Sequence, residues 1–329
     1  MKIFCVVIFL FISFTIFSQS NTAPLKKTTI DTTAMLDSMA MDLTLLKDLL
    51  GENDSYFNIN MNLGNQLFSK NNYSLNSQQS TENVMSFKPG AGFFHKSGLS
   101  VSGLGYLNLN NSKGGFYQYS ITTAYDYSGS GKLAGGISYT RYITKAKDTL
   151  ADFATPYDNE FFGYLYLTQG VIQPGLTLGY ATGKYTSVFR GRIRGPQGNQ
   201  IFVIDSQKTK QADFSISASV QHDFNWYDVL YANDGLSFTP TLMLNAGSSN
   251  TTILSHSNKL VSNFVAKRPD NRFRIVNEGF QFYSLGLSLN LMYEIGKFYV
   301  QPESYFDYYF LESDKKFTSL FSITAGLNF

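Results

Sequence analysis

The last thirteen residues of the chain alternate in character from one position to the next. One set of alternate positions is mostly apolar and ends on Phe329, whereas the other set is mostly small and polar. Because successive side chains of a β-strand point to opposite faces, the alternation predicts a strand with one apolar and one wet face. The apolar set is Phe317, Ser319, Phe321, Ile323, Ala325, Leu327 and Phe329, and the polar set is Thr318, Leu320, Ser322, Thr324, Gly326 and Asn328.

The same alternation begins at Ser55 and recurs through the rest of the chain, where it predicts about twelve strands. Connections alternate in length: those after the first, fifth and ninth strands are long, and those after the second, fourth, sixth and tenth are short. The largest predicted loop is the polar stretch 248–279. The predicted strands are 56–63, 85–95, 99–109, 116–127, 132–142, 161–168, 176–194, 200–224, 236–247, 282–294, 298–311 and 317–329.

Residues 21–54 follow a different period. Apolar residues recur there at three- and four-residue steps, which predicts one amphipathic helix that begins near Asp31 and ends before Gly51. This helix has three interpretations: it packs at one mouth of the domain that follows, which its apolar stripe favours, it enters that domain as a plug, or it binds a partner protein. The stripe consists of Leu36, Met39, Leu43, Leu46 and Leu50.

The first twenty residues have the layout of a cleavable signal peptide. Lys2 is followed by an almost wholly apolar run, 3–17, and by small residues at Ser18 and Ser20. The run is too short for a comfortable membrane-spanning helix. Cys5 is the only cysteine and lies inside this segment, so the mature protein is expected to contain no thiol. The predicted organisation is therefore a signal peptide at 1–20, a helical extension at 21–54 and a strand domain at 55–329.

Composition decides what surrounds the strands. Aromatic residues make up 16% of the chain and charged residues only 15%, against about 25% charged residues in ordinary soluble domains. A soluble β-sandwich would show the same alternation, but few charges, many aromatic residues and a signal peptide favour strands in lipid. Strands in lipid can pair all of their backbone N–H and C=O groups only if the sheet closes into a barrel. The predicted fold is an all-β, antiparallel transmembrane β-barrel of about twelve strands, with its apolar face on lipid and its polar face on a watery lumen.

The chain resembles the outer-membrane β-barrel proteins of Gram-negative bacteria in three features: a C-terminal strand that ends on Phe329, a signal peptide, and connections of alternating length. The Gln-bearing junction Ser18-Gln19-Ser20 and the Asn- and Tyr-rich strands are similar to those of the Bacteroidota. The resemblance covers about 55–329. It implies residence in the outer membrane beside lipopolysaccharide, assembly by the barrel-assembly machinery through the C-terminal strand, and a periplasmic position for 21–54. It carries no ligand site with it.

The sequence contains no recognisable catalytic motif. His95, His222 and His256 are the only histidines, and they are predicted at different ends of the domain with no nucleophile or metal motif beside them. The net charge of +2 is too small to indicate that the protein binds nucleic acid. We therefore expect no cofactor and no metal. The sequence favours a porin-like channel or a structural barrel for small solutes, and the alternative is an outer-membrane barrel enzyme that hydrolyses lipid or peptide.

Two groups of residues are candidates for a role in transport. Charged and tyrosine side chains predicted to face the lumen either form a constriction that selects solutes or a structural network in a narrow barrel. Basic residues predicted in extracellular loops either contact the phosphate-rich outer leaflet or attract anionic solutes. The lumen candidates are Lys88, Asp126, Glu303, Tyr305 and Asp307, and the basic loop candidates are Arg190, Arg192, Arg194, Lys267, Arg268, Arg272 and Arg274.

Overall fold

The computed structural model describes eight parts of the strand domain. The predicted signal peptide and the predicted helix lie outside them. Within the described residues, no helix is long and apolar enough to cross a membrane, a result that does not concern strands. The described residues are 55–65, 85–109, 115–129, 132–144, 154–194, 200–257, 271–310 and 316–329.

The described residues form thirteen β-strands. They are β1 (Tyr56–Gly64), β2 (Ser86–Phe94), β3 (Leu99–Asn108), β4 (Phe116–Gly129), β5 (Leu133–Thr144), β6 (Asn159–Leu167), β7 (Gln173–Arg194), β8 (Gln200–Gln221), β9 (Phe224–Tyr227), β10 (Asp234–Ser257), β11 (Asn271–Ile295), β12 (Phe298–Tyr309) and β13 (Phe317–Asn328).

The strands close into an antiparallel barrel. Strands pair with their neighbours in the chain, except that β8 pairs with β10 instead of β9, and β1 pairs with β13 in a register that places Asn58 opposite Asn328. The backbones of Phe57 and Phe329 exchange two hydrogen bonds of 2.9 and 2.8 Å at this seam. The short β9 continues the line of β8 along β10, so the barrel has twelve strand positions. The prediction of an all-β barrel of about twelve strands is confirmed.

The predicted alternation sets which side chains point inward. In β1, Asn58, Asn60 and Asn62 are buried, whereas the intervening Ile59 and Met61 are 48% and 56% exposed. The inward asparagines bond across the closing seam: Asn58 Nδ2 donates to Asn328 Oδ1 at 2.6 Å. Exposed apolar side chains therefore form the outer surface of the barrel, as expected for a surface that meets hydrocarbon.

The strands differ greatly in length, and here the sequence prediction is wrong. The stretch 248–279, predicted as the largest loop, is mostly strand, because β10 extends to Ser257 and β11 begins at Asn271. Residues of this stretch such as Asn250 and Thr251 are polar at adjacent positions, so no apolar face reveals a strand. Long connections follow β1 and β5 at one end of the barrel, which we call the loop end. The opposite end has short turns, such as the one between β2 and β3, and we call it the turn end.

One side chain breaks the alternation of the predicted strand 116–127. With Asp126 inward, alternation predicts that Tyr117, Tyr119 and Ile121 point outward, but a β-bulge interrupts the pairing of β3 with β4 beside Tyr117. The bulge turns Tyr117 into the interior, where it is buried and its ring centre lies 6.1 Å from that of Tyr106. An extra residue in one strand changes the phase of the alternation, and the sequence pattern alone does not show it.

Candidate functional site in the barrel interior

The interior is filled by side chains rather than open to water. The inward residues include large tyrosines and glutamines that are almost completely buried, among them Tyr299, Gln301 and Tyr305. The expected watery lumen is therefore wrong for the described part of the barrel. The polar inner face is lined by residues long enough to reach one another, and a barrel of modest strand number can be filled in this way.

An apolar cluster crosses the interior. We call it the lumen cluster; it joins β6 to β13, which is six strand positions away by either route around the barrel. The two strands lie on opposite walls, so the contacts of the cluster close the bore at this level. Its buried members are Phe162 and Tyr166 on β6, Met243 on β10, Tyr305 on β12 and Leu320 on β13.

Glycines on the inner wall make room for the tyrosines of the cluster. A Cβ atom added at Gly175 would overlap the ring of Tyr166. A Cβ atom at Gly286 would lie 2.5 Å from the Tyr305 hydroxyl oxygen and 2.9 Å from Met243 Cγ. Each large side chain therefore lies against a place in the wall that lacks a side chain, which fixes its position by packing.

A hydrogen-bonded chain fixes Tyr305. Asn245 Nδ2 donates to the Tyr305 hydroxyl oxygen at 3.1 Å, and that hydroxyl donates to Asp307 Oδ1 at 3.1 Å. Ser217 donates to the oxygen of the same Asn245 amide at 2.5 Å. Two of the lumen candidates, Tyr305 and Asp307, thus belong to one network that links β8, β10 and β12. Buried polar networks with satisfied members favour one arrangement of the surrounding side chains.

The other three lumen candidates face the interior at separate places. Lys88 is 2% exposed, with its ammonium 5.9 Å from the centre of the Tyr106 ring. Asp126 accepts a hydrogen bond of 2.5 Å from the Tyr164 hydroxyl. Glu303 accepts one of 3.5 Å from Ser322. The five candidates do not form a single charged ring, and their role in selecting solutes stays a prediction.

A segment between β5 and β6, residues 154–158, folds into the loop end of the barrel. We call it the inward segment. Thr155 exchanges two hydrogen bonds with the side chain of Gln118 on β4, at 3.2 and 3.4 Å. The buried Tyr157 hydroxyl donates to Asp213 Oδ2 on β8. The carbonyl oxygen of Pro156 lies so close to Gly183 on β7 that no Cβ atom would fit.

Asp213 on β8, two strand positions from β6, is the anchor of this segment. Besides Tyr157, Gln211 Nε2 and Ser249 Oγ each donate to its carboxylate at 2.6 Å. A buried carboxylate with three donors is well satisfied, so the segment is held in place by charge-assisted hydrogen bonds. The inward segment therefore narrows the bore from its β4–β8 side, and the lumen cluster crosses the bore, so both obstruct it.

Sequence reasoning missed both obstructions. Phe162 and Tyr166 lie at inward positions of a strand whose outward positions are also apolar, so hydrophobicity does not separate them. The pairing of inner tyrosines with glycines depends on cross-strand register, which one sequence does not reveal. Asp213 and Gln118 occupy polar strand positions that nothing in the sequence distinguishes from the other polar positions. A tyrosine directly after proline, Pro156-Tyr157, was the one local signal of an ordered connection.

The histidines do not form a catalytic arrangement. His95 Nδ1 lies 2.9 Å from Ser97 Oγ in an exposed turn, and it accepts the Ser97 backbone N–H at 3.2 Å. His222 contacts the carbonyl oxygen of Val171 at 2.5 Å. His256 belongs to β10 and not to a loop. Among the described residues, no group of three histidine, cysteine or acidic side chains could hold a metal ion.

The basic residues predicted in extracellular loops are mostly on strands. Arg190, Arg192 and Arg194 belong to β7, and Arg272 and Arg274 belong to β11. Lys267 and Arg268 lie outside the described residues. For Arg190, Arg192 and Arg194 this agrees with the predicted strand 176–194, whereas Arg272 and Arg274 lie in the stretch 248–279 that was wrongly predicted as a loop. Whether these residues contact lipid or attract solutes stays a prediction.

Comparison with known proteins gives similarity to solved barrels alone. No protein-family model matches the chain, and no curated protein matches it. The NanC porin is similar at 9% identity and a TM-score of 0.36, over 83% of this chain and 98% of that one. An anion-selective porin from Comamonas acidovorans gives 8%, 0.22, 83% and 98%. The Pseudomonas putida toluene transporter TodX gives 9%, 0.31, 87% and 90%. The barrel assignment itself rests on the closed strand pairing of this chain.

Proposed function

We propose that the protein is a porin-like barrel of the outer membrane, exported through its N-terminal signal peptide, with a bore that side chains close and that opens to small solutes. The outer apolar surface supports the membrane location. So does strand length: β1, β2 and β6 have nine residues each, and β3 has ten. Tilted strands need about 9–11 residues to cross a bilayer.

The observation that carries the proposal is that both obstructions are made of contacts that can separate without breaking the barrel wall. The lumen cluster consists of side chains alone. The inward segment is held through Gln118, Asp213 and close packing at Gly183. Neutral hydrogen bonds contribute about 0.5–1.5 kcal/mol each and those to a charged group about 1.5–3 kcal/mol. A state a few kcal/mol above the closed one is populated at about 0.1–10%.

Single-channel recording in planar bilayers tests this function. We expect brief, small openings in the unmodified protein. Tyr157→Phe combined with Gln118→Ala should raise the open probability several-fold, because it removes the hydrogen bonds of Tyr157 to Asp213 and of Thr155 to Gln118, while those of Asp158 remain. Phe162→Ala combined with Leu320→Ala should raise the conductance of each opening, because it removes opposite sides of the lumen cluster.

The matched control is Phe161→Ala. Phe161 precedes Phe162 on β6 but is 55% exposed on the outer surface, so its removal should leave both properties unchanged. Heat-modifiability on gels identifies the folded barrels. Silence of the unmodified protein and of both folded double variants would overturn the channel and leave a structural barrel. Equal effects of Phe161→Ala and the cluster variant would remove the cluster from the path.

A further inference from the structure

The outer surface of the barrel contains an apolar groove. Gly163 on β6 points outward and has no side chain, while its register partners Ile137 on β5 and Leu178 on β7 project on either side. The groove has a volume of about 560 Å³, which is in the range of small-molecule pockets, about 300–1,000 Å³. Further side chains along its length include Leu99, Tyr125, Phe161, Tyr180 and Phe214.

An arginine lies on the same outer face, toward the loop end from the groove. The outward positions of β5 run Ile137, Tyr139, Arg141, so Arg141 lies four residues, or about 13 Å, from Ile137. Arg141 is exposed, and its Nη1 donates to Asn159 Oδ1 at 2.6 Å. The Tyr139 hydroxyl donates to the same oxygen at 2.8 Å. Asn159 therefore orients the Arg141 guanidinium, which carries five N–H donors, at the edge of the apolar groove nearer the loop end.

Three lysines on the next strands lie at the same side of the groove as Arg141. Lys184 on β7 and Lys210 on β8 are direct cross-strand partners, and both side chains are exposed. Lys208, which is also exposed, lies two residues nearer the loop end on β8. The carboxylate of Asp158 contacts the backbone N–H of Lys184, at 3.2 Å. We call Arg141, Lys184, Lys208 and Lys210 the cationic margin.

The cationic margin has a feature that points to an anion. Like charges directly opposite each other on neighbouring strands are destabilising, and Lys184 faces Lys210 in this way. An anion between them would offset the repulsion. The margin spans β5 to β8, three strand spacings or about 14 Å, so one small phosphate could not contact all four cations.

We infer that this face of the barrel binds a lipid that carries more than one phosphate: its acyl chain lies in the groove over Gly163, and its phosphates contact the cationic margin. The inference rests on the proposed location in the outer membrane, where lipopolysaccharide is the lipid of this chemistry. A groove within the apolar surface is filled by hydrocarbon chains or by protein. A second copy of this chain would bring two cationic margins together, which charge repulsion disfavours.

Lipid binding to the purified full chain tests the inference. The probe is the bisphosphorylated lipid anchor of lipopolysaccharide, titrated in detergent and followed by native mass spectrometry. We expect saturable binding that weakens at high salt, because exposed charges are screened. Arg141→Gln, Lys184→Gln and Lys210→Gln together should weaken binding about tenfold or more, a loss of at least about 1.4 kcal/mol. Gly163→Leu should weaken it by filling the groove.

Two matched controls stand elsewhere on the outer surface. Lys297→Gln removes an exposed cation at the turn end, and Ala325→Leu places the same leucine side chain at an outward position of β13. Both should bind as the unmodified protein does. The same lipid without its phosphates should bind no better to the unmodified protein than to the triple variant.

Equal binding by the unmodified protein and the triple variant would overturn the inference. So would a dimer that Gly163→Leu converts to a monomer, since the groove would then be an interface between copies. Failure of the proposed channel is separable: a barrel that never conducts would still be expected to bind this lipid, and the lipid-site variants should conduct as the unmodified protein does.

Discussion

The inner and outer faces of β6 carry similar residues in opposite surroundings. Phe162 and Tyr166 point inward and are buried in the lumen cluster, whereas Phe161 and Leu165 point outward and are about half exposed. Hydrophobicity therefore does not distinguish the two faces of this strand. What distinguishes them is what each side chain meets: on the inside a partner from another strand, and on the outside the surroundings of the barrel, which are hydrocarbon if the proposed location is right.

Glycine shows the same difference. On the inner wall, Gly175 is the place against which the Tyr166 ring lies, and the register of β6 with β7 sets this contact. On the outer wall, a Cβ atom added at Gly163 would make only ordinary contacts, the nearest at 3.7 Å. An inner glycine is thus part of a specific packing arrangement, and an outer glycine is a gap in a surface that lipid can fill.

The largest effect should come from placing a charge on the outer face. Leu287 points outward near the middle of β11, so Leu287→Arg should destabilise the barrel by about 2–4 kcal/mol. The same change at Leu327, one residue before the end of β13 at the turn end, should cost about 0–1 kcal/mol, because the arginine can reach water. Urea unfolding in liposomes measures both values. Equal losses at the two positions would contradict a lipid-facing belt.

A smaller effect should separate the two kinds of glycine. Gly175→Ala forces the Tyr166 ring away from the wall, and overpacking of this kind typically costs about 1–3 kcal/mol. Gly163→Ala should change stability by less than about 0.5 kcal/mol, as surface substitutions usually do. Thermal unfolding in detergent compares the pair directly. A larger loss at Gly163 than at Gly175 would reverse the assignment of the two faces.

The sequence predicted the features that depend on local alternation. The closing strand, the apolar outer face of β1 and the approximate strand number follow from side-chain period alone, and the structure confirms them. The extent of β10 and β11 was missed because regular alternation is lost there, as at the adjacent polar residues Asn250 and Thr251 and the adjacent apolar residues Ile253 and Leu254. The inward turn of Tyr117 was missed because a bulge shifts the phase.

The candidate site depends on longer-range facts. Leu320 on β13 and Phe162 on β6 belong to one cluster although their strands lie on opposite walls, and this depends on closure and strand count together. Tyr157 was predicted in a connection, and nothing in its neighbourhood names Asp213 as its partner. Sequence pattern thus gave the wall of the barrel, while the contents of its interior required the register of every strand.

The smallest effect concerns the turn end, which belongs to neither face. There Asp234 accepts hydrogen bonds from the backbone N–H groups of Val229, Leu230 and Tyr231 and from the Tyr293 hydroxyl. Burial by itself would raise the pKa of this carboxyl, but the four donors outweigh it and hold the pKa below its usual range. The fold therefore stabilises the charged form of Asp234.

The pH dependence follows from that sign. An aspartate in the unfolded chain has a pKa of about 3.9, so the contribution of Asp234 is present above that pH and is lost as pH falls through the lower pKa of the folded state. Asp234→Asn should lower the melting temperature at pH 7 and have little effect at the acid limit. The difference between the two melting curves, measured from pH 7 to pH 2, isolates this group from the other carboxylates. A difference that stays constant over that range would show that the donors hold the turn without favouring the charge, and the turn end would then resemble the neutral hydrogen-bonded networks of the interior.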